Sequence, residues 1–226
     1  MGERAAKDAL YDALAGVAKA LGSGRRAEIV DLLAQGTRSV EEIAAETGLS
    51  VANTSHHLRT LAGAHLVTTR RDGTRIWYSL ASDRVAQLWA AVRDVAAQHI
   101  SEIEGLAATY LGDRDGMEAI TREELAARLE SGEVLVLDVR PEPEYEAGHV
   151  AGARSVPIDE LDRWLVSAPR DREIVAYCRG PYCVFADDAV RVLGAQGISA
   201  RRLEDGFPEW RRDGLPVAVA SGASGE

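Results

Sequence analysis

The sequence of 226 residues predicts a mainly α-helical domain with one β-hairpin, followed by an α/β domain with an open, mostly parallel sheet. In the first half, apolar residues recur every three or four positions, which is typical of amphipathic helices. Asp72-Gly73 joins two strand-like runs there, a strong hairpin signal. In the second half, continuous apolar runs alternate with helical segments, as in a parallel sheet covered by helices. We place the domains at residues 1–110 and 118–219, with a linker at 111–117 and a tail, expected to be disordered, at 220–226.

The composition excludes several classes of protein. No apolar run reaches the length of a membrane span, and the first residues lack the apolar region of a signal peptide. Because the chain has only two cysteines, we expect no disulfide framework and a reducing, cytoplasmic setting. The net charge is −10, yet the first 100 residues hold 12 basic and 11 acidic side chains and the rest hold 14 and 25. The acidity belongs to the second half, so the first half stays compatible with nucleic-acid binding.

Residues 39–61 predict a helix-turn-helix. Ser39 and Glu42 have the spacing of a capping box that starts a short helix. Gly48 allows a tight turn, and Ser50 caps a second helix that continues to Leu61. In this arrangement the second helix lies in the DNA major groove. The side chains expected to reach base edges and phosphates are Ser50, Asn53, Thr54, Ser55, His56 and Arg59.

The segments on either side complete the first domain. Residues 5–21 and 25–34 predict two preceding helices, and residues 66–70 and 74–80 predict the strands of a hairpin. We expect three arginines at its tip to contact phosphates or an adjacent minor groove: Arg70, Arg71 and Arg75. Residues 82–110 predict one long helix whose apolar seam needs a partner helix.

The first domain resembles the winged-helix repressors of the ArsR/SmtB family over roughly residues 10–105. The matching segments are ALGSGRR at 20–26, SVEEIA at 39–44, LSVANTSHHL at 49–58 and RDG at 71–73. The resemblance implies that the first and last helices form a homodimer interface. Such a dimer reads double-stranded, pseudo-palindromic operator DNA with half-sites about one helical turn apart.

Many ArsR/SmtB proteins sense metals, but this sequence departs from that pattern. The recognition-helix region has no cysteine, so the thiolate site of arsenic sensors is absent. Four polar residues at 94–104 do not have the spacing of the family's interhelical metal site: Asp94, His99, Glu102 and Glu104. We therefore predict no metal and no other cofactor.

The second domain places a cysteine where an α/β sheet binds its ligand. Helical signals at 121–129, 184–193 and 207–212 alternate with strand signals at 134–138, 174–177 and 198–203. Ligands of such sheets bind at the carboxyl ends of the strands. Cys178 directly follows one strand, and Asp138 and Arg140 lie at the end of another. Loop N–H groups and a helix N-terminus beside Cys178 favour its thiolate.

This domain resembles the rhodanese (sulfurtransferase) domain over roughly residues 117–219. The matching segments are LDVR at 137–140, EYEAGHVAGA at 144–153, YC at 177–178 and LEDGFPEW at 203–210. The resemblance implies that Cys178 takes sulfane sulfur from a donor, holds it as a persulfide and passes it to a thiophilic acceptor. We expect Arg179, Gly180 and Tyr182 to surround that persulfide, with Arg179 adding charge at the mouth of the site. Asp138 and Arg140 are either a structural ion pair or part of the site, and Glu144, Glu146 and His149 are expected in a solvated loop.

The cysteine loop departs from the rhodanese pattern at two positions. The family loop usually ends in arginine five residues after the cysteine, and here Cys183 occupies that place. Pro181 also removes one N–H from the loop. Loss of the cation weakens anion stabilisation, whereas the second thiol allows a persulfide on Cys178 to be attacked and a bridge to form. The alternative is that Cys183 is only a small apolar residue at a helix start.

The sequence therefore predicts a dimeric transcriptional repressor that senses reactive sulfur or redox state through Cys178, with or without a bridge to Cys183. Its partners would be operator DNA, a second copy of the chain, a sulfane-sulfur donor and a thiol acceptor. The alternative function is a sulfurtransferase enzyme in which the winged helix has an accessory role. The missing arginine and the short loop argue against phosphatase or arsenate reductase chemistry.

Overall fold

The protein, described here by a computed structural model over residues 2–220, divides into two compact units. The first unit extends to Val95 and the second begins at Ala96. This boundary comes before the linker predicted at 111–117. The second unit therefore includes a helix, residues 102–111, most of which the sequence analysis assigned to the first domain. Most of the tail predicted to be disordered, residues 221–226, lies outside the described residues.

The first unit is built from helices and a three-stranded antiparallel sheet in the order β1-β3-β2. Its core contains apolar side chains from α2, α3 and α4, such as Ile29, Ile43, Leu58 and Leu61. Its elements in chain order are α1 (Gly2–Leu21), α2 (Gly24–Leu33), β1 (Arg38–Ser39), α3 (Val40–Thr47), α4 (Val51–Gly63), β2 (Val67–Asp72), β3 (Arg75–Leu80) and the greater part of α5 (Asp83–His99), whose last residues belong to the second unit.

Local sequence signals account for the helix-turn-helix. Ser39 and Glu42 form the capping box at the start of α3, with the Ser39 side chain accepting from the Glu42 N–H and the Glu42 side chain accepting from the Ser39 N–H. Gly48 ends α3 at φ 65°, a left-handed conformation that favours glycine. The Ser50 side chain then accepts from the Asn53 N–H and starts α4. The predicted helix-turn-helix and hairpin are confirmed.

The prediction of one long helix over residues 82–110 was wrong. The chain forms α5 and then α6 (Glu102–Leu111), separated by Ile100 and Ser101. At the break the Ile103 N–H donates to the Ile100 carbonyl at 3.1 Å, three residues back instead of four. The sequence did not reveal this interruption. Neither Ile100 nor Ser101 is a glycine or a proline, which are the residues that usually mark the end of a helix.

The second unit has a five-stranded sheet in the order β4-β9-β8-β5-β7, with every neighbouring pair parallel. A two-stranded antiparallel sheet joins β6 to β10. The predicted α/β fold is confirmed. The elements in chain order are β4 (Ala119–Ile120), α7 (Arg122–Glu130), β5 (Val134–Asp138), α8 (Glu142–Ala147), β6 (His149–Val150), β7 (Arg154–Ser155), a 3₁₀ turn (Ile158–Glu160), α9 (Leu161–Leu165), β8 (Glu173–Cys178), α10 (Val184–Ala195), β9 (Ala200–Gly206), α11 (Phe207–Arg212) and β10 (Val217–Ala218).

Strand β8 lies at the centre of the sheet and positions the cysteine. Alternate side chains of a strand point to opposite faces, so Ile174, Ala176 and Cys178 join one core while Val175 and Tyr177 join the other. With β5 and β9 on its two sides, β8 has no free edge along this length. Cys178 therefore ends a rigid, buried strand at the carboxyl edge of the sheet.

Two features are absent from the described residues. No described helix is both long enough and apolar enough to span a membrane. Within residues 2–220, no group of three or more His, Cys, Asp or Glu side chains is placed to hold a metal ion.

Candidate functional site

The cysteine loop connects the end of β8 to the start of α10. Cys178 is the last residue of β8, and Cys183 is the N-cap of the twelve-residue helix α10. The Cys183 N–H donates to the Gly180 carbonyl at 3.1 Å, which closes the turn between the two cysteines. The short loop thus brings both sulfurs to the N-terminus of one helix, as the sequence analysis expected for Cys178.

The two cysteines lie close together. Both are free, and the Cys178 Sγ lies 3.6 Å from the Cys183 carbonyl oxygen. Burial raises the pKa of Cys178 well above that of a free thiol, whereas the neighbouring Cys178 side chain lowers the pKa of Cys183. The expectation that the loop lowers the pKa of Cys178 is contradicted, because that side chain is only 1% exposed and loses the hydration of its charged form.

The Arg179 guanidinium is directed to a buried carboxylate. Its Nη2 lies 2.6 Å from Glu144 Oε1, and its Nε lies 3.0 and 3.1 Å from the two Glu144 oxygens. Glu144 is fully buried, so the expectation of a solvated loop was wrong for this residue. It was also wrong for His149, which is 6% exposed and stacks on the Tyr145 ring at 3.7 Å between centroids. Arg179 therefore braces the loop instead of adding an uncompensated charge at its mouth.

Asp138 and Arg140 form a structural ion pair at the end of β5. Both side chains are fully buried, with Arg140 Nε 2.9 Å and Nη2 2.5 Å from the Asp138 oxygens. Arg140 Nη2 also donates to the Gly148 carbonyl at 2.7 Å, and the Tyr177 hydroxyl donates to Asp138 at 2.5 Å. This network ties β5, β8 and the chain after α8 together. The geometry favours the ion-pair alternative over a substrate role.

Gly206 supports the loop from the neighbouring strand. It pairs with Cys178 across β8 and β9, and the register of the two strands shifts just before it. A Cβ atom built at Gly206 would lie 2.3 Å from the Gly180 nitrogen and 2.4 Å from the Arg179 carbonyl carbon. Only glycine permits this approach, because no real side chain tolerates such distances to backbone atoms.

Sequence reasoning missed a second set of contacts, between the predicted linker and the loop. Arg114 Nη2 lies 2.7 Å from Asp187 Oδ2 and donates to the Pro181 carbonyl at 3.1 Å. Asp187 is fully buried in the first turn of α10. Arg191 Nη2 donates to the Leu111 and Asp113 carbonyls at 3.0 and 3.1 Å. An aspartate in a first helical turn is ordinarily exposed, so the sequence held no signal for this ion pair.

A cavity of about 620 Å³ lies beside the loop, within the second unit. Tyr182 from the loop and Arg114 from the linker line it, together with the apolar side chains of Ile103 and Leu111 on α6. Arg179, Pro181, Tyr182 and Cys183 are partly exposed, whereas Cys178 and Gly180 are buried.

In the first unit, α4 presents most of its predicted DNA-contacting residues to solvent. Ser50, Asn53, His56 and Arg59 are exposed, and Ser55 is partly exposed. The hairpin arginines, Arg70, Arg71 and Arg75, are exposed as well. The prediction that Thr54 contacts DNA was wrong. Thr54 is fully buried, because its position on α4 faces the core with Leu58 and Leu61.

Comparisons with known proteins agree with both halves of the chain. The family model for the bacterial regulatory protein, arsR family, matches residues 23–69, and the rhodanese-like domain model matches residues 121–213. The HTH-type transcriptional regulator Rv0324 of Mycobacterium tuberculosis is 50% identical over 216 residues, 96% of this chain and 95% of that protein. The chain belongs to the ArsR family of transcriptional regulators and carries a rhodanese-like domain.

Two further relatives each match one half. A sulfurtransferase of Allochromatium vinosum is 30% identical over 105 residues, 46% of this chain and 96% of that protein. The solution NMR structure of the homodimeric winged helix-turn-helix DNA-binding domain of Mb0332 from Mycobacterium bovis is 48% identical. That match covers 42% of this chain and 89% of the other, with a TM-score of 0.40.

Because Thr54 is buried, a substitution there should change the stability of the protein and not its affinity for DNA. Its Oγ1 is buried and has no hydrogen-bond partner among the described residues. We expect Thr54→Val to raise the free energy of unfolding by about 1 kcal/mol, because an unsatisfied buried hydroxyl is removed, and to leave DNA affinity unchanged. Urea denaturation and DNA titration measure the two quantities. Weaker DNA binding by this variant at unchanged stability would show that Thr54 contacts DNA after all.

The close approach of Gly206 predicts a displaced loop in Gly206→Ala. The added methyl group must move the backbone of Arg179 and Gly180, at about 1–3 kcal/mol of overpacking. We expect a lower free energy of unfolding in urea and altered alkylation rates of both cysteines. The matched control is Gly194→Ala in α10, where a Cβ meets nothing within 4 Å. If both variants behave like the wild type, the close packing of β9 against the loop is not required.

Proposed function

We propose that this protein is a transcriptional repressor that binds operator DNA as a homodimer and changes its operator affinity when reactive sulfur joins Cys178 to Cys183. The observation that carries this proposal is the closeness of the only two cysteines of the chain, at the end of a strand and the start of a helix, with the Cys178 Sγ 3.6 Å from the Cys183 carbonyl oxygen. A small chemical change there acts on the position of α10 and of the loop held beside it.

The chemistry needs only a sulfane-sulfur donor. One protein thiolate attacks the outer sulfur of a persulfide R–S–SH, the donor S–S bond breaks, and RS⁻ leaves. The protein then carries a persulfide, S–SH. The second protein thiol attacks the inner sulfur, a disulfide forms, and hydrogen sulfide leaves with that thiol's proton. The two thiols are oxidised and the transferred sulfur is reduced, so no other oxidant is required.

The contacts of Arg114 support a route from the loop to the rest of the chain. Arg114 binds the carbonyl of Pro181, which lies between the two cysteines, and the carboxylate of Asp187 in α10. The chain leads directly from α6 into Arg114, so a movement of Pro181 acts on this segment. A tenfold change in operator affinity requires a free-energy difference of only about 1.4 kcal/mol between the two states.

Exposed side chains of the first unit support the DNA and dimer parts of the proposal. Polar side chains lie along α4, and three arginines crowd the hairpin. Large apolar side chains on α1 and α5 remain exposed in the single chain, among them Leu10, Tyr11, Leu14, Val92 and Val95. A second copy of the chain would cover them, in agreement with the family resemblance.

A sulfurtransferase activity is the second candidate, favoured by the match to the sulfurtransferase of Allochromatium vinosum. Two observations make it the weaker one. Cys183 stands in place of the usual loop cation, and the buried Cys178 thiol is poorly placed to pass sulfur to an external acceptor. Steady turnover of thiosulfate with cyanide at ordinary enzymatic rates would favour the enzyme.

The sensing proposal is tested by titrating operator DNA with the reduced protein before and after treatment with inorganic polysulfide. We expect the Kd of the wild type to change by about tenfold or more, and dithiothreitol to reverse the change. Cys178→Ser and Cys183→Ser should bind DNA like the reduced wild type and show no change, because neither can form the bridge. An unchanged polysulfide response in both serine variants would refute the proposal.

The route through Arg114 is tested with Arg114→Lys. Lysine keeps the charge facing Asp187 but lacks the fork that also reaches the Pro181 carbonyl. We expect the polysulfide-induced change in operator Kd to fall from about tenfold towards none, while sulfur uptake measured by mass spectrometry stays as in the wild type. Arg170→Lys, on an exposed arginine that binds the Gln196 carbonyl, is the control. A full response in Arg114→Lys would exclude this route.

A further inference from the structure

A largely buried cation lies on the strand beside Cys178, outside the cysteine loop. Arg202 is on β9, and it pairs with Ala176 of β8, two residues before Cys178. Ala176 and Cys178 belong to the core that includes α10, and Ala200 of β9 packs against the same core. Because the side chains of a strand alternate between its faces, Arg202 points to the same side of the sheet as Ala200 and Cys178. Its side chain is only 16% exposed.

The Arg202 guanidinium is incompletely paired. Asp187, in the first turn of α10, gives its Oδ2 to Arg114, whose nitrogens lie at 2.7 and 2.8 Å. The other oxygen, Oδ1, lies 3.6 Å from Arg202 Nε, which is too long for a hydrogen bond. Both of these atoms are buried, and neither has a hydrogen-bond partner among the described residues. Arg202 Nη1 makes long contacts of 3.4 Å to the carbonyl oxygens of Leu203 and Glu204.

Two guanidinium groups therefore share one carboxylate. Arg114 and Arg202 are both positively charged, and Asp187 balances only one of them. The Glu204 carboxylate also acts on Arg202, but this residue is exposed, so water weakens its effect. A largely buried charge without a counter-ion is unfavourable. The space beside Arg202 consequently favours a further negative charge.

The electrostatic surroundings of Arg202 place the Cys178 sulfur among the groups that act on it. Burial and the neighbouring Arg114 lower the pKa of Arg202, whereas the Asp187 carboxylate and the Cys178 sulfur raise it. A guanidinium nonetheless remains charged at neutral pH. Only a negatively charged sulfur can raise the pKa of a neighbouring cation, so an anion on Cys178 and the charge of Arg202 stabilise each other.

We propose that Arg202 is the cation that stabilises a negatively charged sulfur on Cys178, in place of the arginine that the cysteine loop lacks. This inference rests on the proposed function, because it assigns the charge that holds the transferred sulfur in that reaction. The Cys178 thiolate attacks the outer sulfur of the donor R–S–SH, the donor S–S bond breaks, and RS⁻ leaves. Cys178 then carries S–SH, whose outer sulfur becomes S⁻ when it gives its proton to water. That anion supplies the negative charge that Arg114, Asp187 and Arg202 lack together.

The adjacent arginine provides a matched control. Arg201 lies on the same strand, points to the opposite face of the sheet and is 15% exposed, almost the same as Arg202. It binds Glu173 at 2.9 Å and Glu124 at 3.0 Å. Loss of Arg201 therefore removes a comparable paired arginine without changing the charge on the face that carries Cys178.

The proposal is tested on the full chain with Cys183→Ser as the parent, because no second thiol can then resolve a persulfide on Cys178. Each protein is treated briefly with inorganic polysulfide, and sulfur on Cys178 is followed by peptide-mapped mass spectrometry. We expect Arg202→Gln to take up sulfur about tenfold more slowly than the parent. Arg202→Lys should stay within about threefold of the parent because it keeps the charge. Arg201→Gln should match the parent in uptake, while urea denaturation compares the stabilities of all three variants.

A second measurement separates the charge of Arg202 from its packing. In the same parent, Cys178 is alkylated with iodoacetamide, which is neutral, and with iodoacetate, an anion of similar size. Both reagents need the thiolate and the same access, so the ratio of their rates reports the charge near the sulfur. We expect Arg202→Gln to lower the iodoacetate-to-iodoacetamide ratio about threefold and Arg201→Gln to leave it unchanged.

Unchanged sulfur uptake or an unchanged rate ratio in Arg202→Gln would overturn the proposal. So would an equal loss in Arg201→Gln, uptake by Arg202→Lys as slow as that of Arg202→Gln, or a parent whose Cys178 takes up no sulfur. In each of these cases the wild type decides the proposed function separately. If its operator Kd still changes with polysulfide, the proposed function stands, and if it does not, the proposed function fails as well.

Discussion

The closeness of the two cysteines depends on how tightly the loop between them packs at the carboxyl edge of the sheet. β8 ends at Cys178 with a strand on each side, and the loop must return to Cys183 without room for a side chain at Gly206. That constraint places the Cys178 sulfur under the first turn of α10 and the Cys183 sulfur at its N-cap. The two cysteines consequently differ in exposure and acidity although they are five residues apart.

Two ion pairs with fully buried carboxylates hold this loop, Glu144 with Arg179 and Asp187 with Arg114 beside Pro181. Removal of one partner from a buried pair typically costs about 3–5 kcal/mol, because the other charge is left without compensation. Each pair therefore restricts the loop to one geometry, and a bridge between the thiols has to act against a braced structure. A braced loop transmits a small chemical change better than a mobile one, since its neighbours must move with it.

The DNA-binding half and the cysteine half use helix N-termini in different ways. In α3 and α4 the caps are serines, whose oxygens satisfy backbone N–H groups and define the start of each helix. In α10 the cap is Cys183, whose side chain makes no cap hydrogen bond. The start of α10 is therefore not fixed by its cap residue in the way that Ser39 and Ser50 fix the starts of α3 and α4.

The sequence by itself determined the two domain classes, the helix-turn-helix with its capping box, the hairpin and the strand that ends in Cys178, because these depend on short-range periodicity and on turn residues. Tertiary structure alone decided the burial of Thr54 and Glu144 and the break between α5 and α6. It also decided the contacts of Arg114 and the burial that raises the pKa of Cys178. The physical reason is that burial and pairing of charges arise between segments distant in the chain. Arg114 and Asp187 are 73 residues apart, and no local pattern records their meeting.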